Sequence, residues 1–108
     1  MAIETTTCKR IELAIAKAHL RVFARVFETV GVTGWTALKT VGGAGTSGVW
    51  QEDQLTGAED HIVVIAITDD KGADEVLAKI SKLFERYPGI VSVSEAQVLR
   101  PERFAGKP

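Results

Sequence analysis

A chain of 108 residues with 45% apolar and 25% charged side chains is one globular domain, long enough for a core and too short for two. Its formal charge of −1 gives no whole-molecule attraction to nucleic acid or anionic lipid, so an anionic ligand has to be held by local geometry. The longest apolar run, Ile62 to Ile67, is too short to span a bilayer, and a lone Cys8 excludes an intrachain disulfide or a multi-thiolate metal site within one chain.

Met1 to Thr7 is polar and threonine-rich, a loose end or a short edge segment, and lacks the basic and apolar regions of a signal peptide; a cytoplasmic location is the expectation. From Cys8 to Lys17, Ile11, Leu13 and Ile15 alternate with Arg10, Glu12 and Ala14, which suits a half-buried strand. The same letters, rich in Ala, Leu, Glu and Lys, would also extend the next helix backwards. That helix is carried by the stripe Leu20, Phe23, Ala24 and Phe27, and Gly31 stops it as a left-handed cap. Trp35 to Val41 reads as a second strand, followed by a glycine-rich and polar stretch from Gly42 to Asp60 with no regular structure of its own.

His61 to Thr68 is a third strand, and its unbroken Ile-Val-Val-Ile-Ala-Ile predicts an interior position buried on both faces. Asp69 or Asp70 caps a second helix, in which Ala73, Val76, Leu77, Ile80, Leu83 and Phe84 have helical spacing. Pro88-Gly89 breaks the chain, and Ile90 to Leu99 is a fourth strand ended by Pro101. This order predicts an α+β, ferredoxin-like βαββαβ sandwich with an antiparallel sheet and both helices on one face. The other face needs a partner, and oligomerisation is an economical way to cover it.

The residue inventory argues against several chemistries. His19, His61 and Cys8 are too scattered for a zinc site within one chain, and no Ser or Cys stands in a nucleophile-elbow pattern. The chain contains no asparagine, which removes the Arg-plus-Asn chemistry of acylphosphatases on this fold. RNA binding on a four-stranded sheet wants exposed aromatics, and Ile62 to Ile67 is wholly aliphatic. The expectation is a binding module and not an enzyme.

Gly43, Gly45 and Gly48 form a literal G-x-G-x-x-G. A Rossmann fingerprint needs a helix next, which Val49 to Gln54 does not resemble, and no Lys follows for a Walker A loop. What survives is an anion cradle in which the backbone N–H groups of Gly42 to Gly48 converge and Thr46 and Ser47 add hydroxyls. From spacing alone, a flexible surface loop fits as well.

Lys9-Arg10-Ile11-Glu12, followed by Gly31-Val32-Thr33-Gly34-Trp35-Thr36, resembles the start of PII signal-transduction proteins, whose Lys-Lys-Ile-Glu, helix and Gly-Val-Thr-Gly-Met-Thr align without a gap. The ending, Tyr87-Pro88-Gly89-Ile90 through Ser94-Glu95-Ala96-Gln97-Val98-Leu99, is similar to the PII-like subgroup associated with bicarbonate transporters and carboxysomes. The similarity runs over about residues 8 to 104, and order and spacing carry it more than any single motif. It implies a strand before the first helix and a homotrimer with adenine-nucleotide sites in the clefts between subunits. By this resemblance Thr36 lies at the adenine, the backbone of Ile65 and Ala66 adds contacts, and Gly42 to Gly48 open a mobile T-loop near the phosphates. Gly89 and Ile90 with Arg100 and Arg103 complete the site, although the two arginines fit a solvated basic end equally well.

The departures are informative. The only tyrosine is Tyr87, so uridylylation of a loop tyrosine is not expected. Thr46 stands near the position of the loop Gln that helps bind magnesium, ATP and 2-oxoglutarate, and Ile90 replaces the lysine before the last strand. Fewer positive charges neutralise three phosphates less well, so AMP or ADP is expected over ATP. Trp50 is the candidate for contact with a protein partner, which the subgroup resemblance places in bicarbonate transport or carboxysome-linked carbon metabolism; bicarbonate itself is a candidate second ligand. Two other readings stay open, a CutA-like metal-binding trimer and an ACT-type amino-acid-binding module.

Overall fold

A computed structural model describes residues 3–45, 48–51 and 60–99, with the side chains of 48–51 excepted. Alternation along the two inner strands organises the sheet. On β1 (Thr6–Ala16), Ile11, Leu13 and Ile15 are wholly buried while Arg10, Glu12 and Ala14 between them are half-buried. The first segment is therefore a strand from end to end, and a 3-10 turn over Lys17–His19 separates it from helix α1 (Leu20–Val30).

α1 buries Phe23, Ala24, Val26 and Phe27. Its end is a Schellman motif: Gly31, at φ 94°, donates to Glu28, and Val32 donates to Phe27 at 2.8 Å. Only a glycine holds that left-handed angle without strain, and Val32 then turns into the core. Three further strands lead out: β2 (Trp35–Lys39), then β3 (Gly42–Gly45) and β4 (Gly48–Gln51), which pair as a separate antiparallel ribbon. The stretch expected to lack regular structure thus contains a hairpin. The ladder pairs Gly43 with Trp50 and Ala44 with Val49, so strand-favouring residues stand opposite small ones.

β5 (His61–Thr68) sits between β1 and β2, and β6 (Gly89–Val98) closes the far side, giving the order β2-β5-β1-β6. Both β1 neighbours are antiparallel, as is β2 with β5. This is the expected ferredoxin-like arrangement. The interior position of β5 is as expected, but burial on both faces is not: Ile62, Val64, Ala66 and Thr68 are buried, whereas His61, Val63, Ile65 and Ile67 are only half-buried. One face lies under the helices; on the other, no helix packs among the described residues. Leu38 and Ile90, 46% and 69% exposed, lie on that uncovered face opposite Val63 and Ala14.

Helix α2 (Asp70–Leu83) is capped by Asp69, whose Oδ1 accepts from the Gly72 N–H at 2.8 Å. Asp70 in its first turn and Lys82 in its last both complement the helix dipole. Ala73, Val76 and Ile80 reach the core, where Phe23 meets Phe84 and Tyr87, and Phe27 stacks on Trp35 at 6.2 Å. The aromatic contacts join both helices to the sheet and to the turn before β6.

Gly72 packs hard against the strand it follows: a Cβ there would overlap the Thr68 hydroxyl and lie 3.0 Å from Asp69 Oδ1. Gly→Ala inside a helix ordinarily stabilises by up to about 1 kcal/mol. Here Gly72→Ala is expected to destabilise by about 1–3 kcal/mol in urea unfolding, and adding Thr68→Ala should return most of that loss.

Candidate functional site

The described residues singled out from the sequence fall on the two outer strands β2 and β6, on the inner strand β5 and on the ribbon. Thr36 stands on β2 directly opposite Ile65 on β5, both on the uncovered face. There an exposed hydroxyl lies beside a half-buried aliphatic side chain. Ala66 points the other way, 1% exposed within the core, and offers no side chain to a ligand. Both residues lie in a strand paired on each side, Ile65 with Glu12 and Thr36, Ala66 with Ile11 and Trp35. Any backbone contact from this pair has to share groups that the ladders use. β2, by contrast, has a strand neighbour on one side only among the described residues.

The glycines form a ribbon: Gly42 opposes Gln51, Gly43 opposes Trp50, and Gly45 opposes Gly48. The G-x-G-x-x-G is followed by a strand, which rules out the dinucleotide fingerprint. In an antiparallel ribbon successive N–H groups point alternately towards the partner strand and away from it. Along Gly42–Gly45, alternate N–H groups therefore face away from β4. Thr46, Ser47, Arg100 and Arg103 lie outside the described residues, as does the Trp50 side chain; its backbone belongs to β4.

Sequence reading missed what anchors this excursion. The Thr40 hydroxyl donates to the His61 carbonyl at 2.8 Å, and the Lys17 N–H donates to the Asp60 carbonyl at 2.8 Å. The chain thus leaves β2 and re-enters β5 at neighbouring points beside the end of β1. The signal was a threonine at the strand end, just before Val41 and the glycines. Also missed was the pair Arg10–Glu12, 3.1 Å apart on the uncovered face. Glu12 lies directly across from Ile65, so the only ion pair described on that face borders the Thr36–Ile65 row.

Gly89 and Ile90 sit on the opposite edge. Reading across the sheet, Lys39, Ile62, Ile15 and Gly89 form one row, and Leu38, Val63, Ala14 and Ile90 the next. Three strand spacings separate β2 from β6, about 14 Å. A single chain therefore holds the two halves of the expected site apart. Among the described residues no group of three or more His, Cys, Asp and Glu side chains could hold a metal ion, and no helix is long and apolar enough to cross a membrane.

A four-stranded ferredoxin-like sheet with both described helices on one face, carrying a glycine ribbon between β2 and β5, defines the class of domain. Within that class the chain belongs to the nitrogen regulatory protein P-II family, whose model matches residues 8–103. Among solved structures it is similar to CPII from Thiomonas intermedia K12, a nitrogen regulatory PII-like protein bound to ADP, AMP and bicarbonate; the two are 25% identical, with a TM-score of 0.87 over 97% of this chain and 100% of that one. A PII-like signalling protein from Thermus thermophilus matches at 16% identity and a TM-score of 0.82, covering 94% and 99%. The GlnK–ATP complex of B. subtilis matches at 14% identity and a TM-score of 0.59, covering 88% and 85%. The latter two likenesses show the fold alone. No curated protein matches the sequence significantly.

The two glycines at the extremes of the site differ in what surrounds them. A Cβ on Gly89 would come within 2.8 Å of Phe84, 2.9 Å of Ile15 and 3.0 Å of the Ala14 carbonyl, whereas one on Gly45 meets nothing within 4 Å. Gly89→Ala should lower stability by about 1–3 kcal/mol in thermal or denaturant unfolding. Gly45→Ala should stay within about 0.5 kcal/mol of the parent.

Proposed function

We propose that this protein is a non-catalytic, PII-like regulator that senses adenine nucleotides at clefts between the subunits of a homotrimer. The observation that carries this reading is the division of the proposed site: Thr36, on the edge strand β2 beside Ile65 of β5, lies towards one side of the sheet and Gly89 and Ile90 at the other edge, on a face that no described helix covers. A second copy laid against that face covers Val63, Ile65 and Ile67 and brings its own Gly89–Ile90 edge to the Thr36 edge of the first. Burial of aliphatic surface drives such an assembly. The presence of ADP, AMP and bicarbonate in the T. intermedia protein supports the same ligands here.

Ile90 places an aliphatic side chain where a lysine would serve the phosphates, which favours ADP and AMP over ATP. Arg100 and Arg103 supply the cations that remain near the end of β6 in sequence, and bicarbonate is the second anion. Nucleotide binding beside the ribbon alters the surface that the T-loop, about residues 42–60, presents to a partner, with Trp50 as the contact. A partner in bicarbonate uptake or carboxysome-linked carbon metabolism follows from the resemblance of residues 87–103.

Calorimetric titration with AMP, ADP and ATP, each with and without bicarbonate, is expected to give binding in the order ADP or AMP above ATP; silence from all three sinks the proposal. Light scattering should give three times the 11.6 kDa chain mass. Ile65→Glu, on the uncovered face, should yield smaller species that are still folded by circular dichroism and no longer bind nucleotide. A monomer retaining full nucleotide affinity would overturn the inter-subunit site.

A further inference from the structure

On the opposite side of the molecule, α1 and α2 leave an open trough of about 800 Å³ between them. Its floor is apolar, with Val26 buried and Val22 and Leu83 half-buried. Its rims are basic on both sides. Arg21 and Arg25 stand one turn apart on α1, and Lys79 and Lys82 stand three residues apart on α2. All four are exposed, and among the described residues none makes an ion pair. Glu75 is the one carboxylate lining the trough. On a chain whose net charge is −1, four cations against a single carboxylate around one apolar floor are a local concentration of positive charge.

We infer that this trough docks an acidic amphipathic helix of a partner protein. Charge and shape select that occupant together. The apolar floor is recessed between cationic rims, so a flat bilayer meets the charges but does not reach the floor. A small polyanion would satisfy the rims and leave the valines and the leucine exposed to water. A helix about 10–12 Å across, with an apolar seam flanked by glutamates or aspartates, satisfies both. Arginines suit such a rim because their planar guanidinium groups pair with carboxylates through two hydrogen bonds at once. The trough belongs to the helical layer, away from the uncovered sheet face, so assembly through the sheet leaves it accessible. The inference does not depend on the nucleotide reading.

The test uses the full-length protein and three probes. One is a fluorescently labelled helical peptide with leucines at i, i+3, i+4 and i+7 flanked by glutamates, together with its analogue carrying lysines for the glutamates. The others are phosphatidylglycerol vesicles and inorganic tripolyphosphate. The acidic peptide should bind, with amide NMR shifts confined to α1 and α2, and the basic analogue should not. Arg25→Glu with Lys82→Glu should weaken the acidic peptide by about tenfold or more and admit the basic one. Arg21→Glu with Lys79→Glu should behave alike, and as all four side chains are solvated, each variant's circular dichroism should match the parent. Unchanged peptide affinity in both variants overturns the inference. So does charge-dependent binding of the vesicles or tripolyphosphate that equals or exceeds that of the peptide, which would reassign the trough to lipid or to a small anion.

Discussion

The alternation of side chains on the two inner strands constrains everything else in this domain. Ile11, Leu13 and Ile15 on β1 register with Ala66, Val64 and Ile62 on β5, and together they form the floor on which both helices lie. A slip of one residue between these strands would turn the whole set to the other face. The register therefore fixes at once where α1 and α2 pack, which side of the sheet stays uncovered, and which side chains look out from it. Thr36 faces outward because Trp35 must face inward, towards Phe27. Ile90 faces outward because Val91 sits opposite Leu13 at the edge of the core. The outward direction of the candidate site's side chains is in this sense a by-product of how the core is packed.

Much of this was legible from residues alone. The helical stripes, the Gly31 stop, the Asp69 cap and the bounds of β5 all follow from local chemistry: spacing, a left-handed glycine, a carboxylate beside free N–H groups. Residues 8–17 were ambiguous because Ala, Leu, Glu and Lys serve both structures. Tertiary pairing with β5 and β6 decides for the strand, and no local signal weighs that. The unbroken aliphatic run of β5 was misleading for a related reason. Such a run says that both faces avoid water, without saying whether the second cover comes from the same chain or from another. The ribbon at Gly42–Gln51 was hidden because glycine favours no particular backbone state, and its strand-favouring partners, Trp50 across from Gly43 and Val49 across from Ala44, lie further along the chain.

The residues of the candidate site could be named from the sequence, but their arrangement could not. Thr36, Ile65, Gly89 and Ile90 could be named through resemblance, yet their distribution over opposite edges is a property of strand order, which a linear reading does not measure. The Arg10–Glu12 pair was overlooked because alternating charges on a strand look like ordinary solvated positions. Thr40 was overlooked because its role, a hydroxyl donated to a carbonyl 21 positions along the chain, has no local signature.

That last contact separates two levels of organisation. With Thr40 fastened to His61, the residues between them form a closed excursion whose ends are held by the sheet, whatever lies between. The entropy of closing such an excursion grows only with the logarithm of its length, about 0.6 kcal/mol for each doubling. Insertions, deletions and substitutions beyond the anchor are thus cheap to the core, while changes to the anchor are not. The anchor uncouples the sequence carried by the excursion from the stability of the frame that holds its ends.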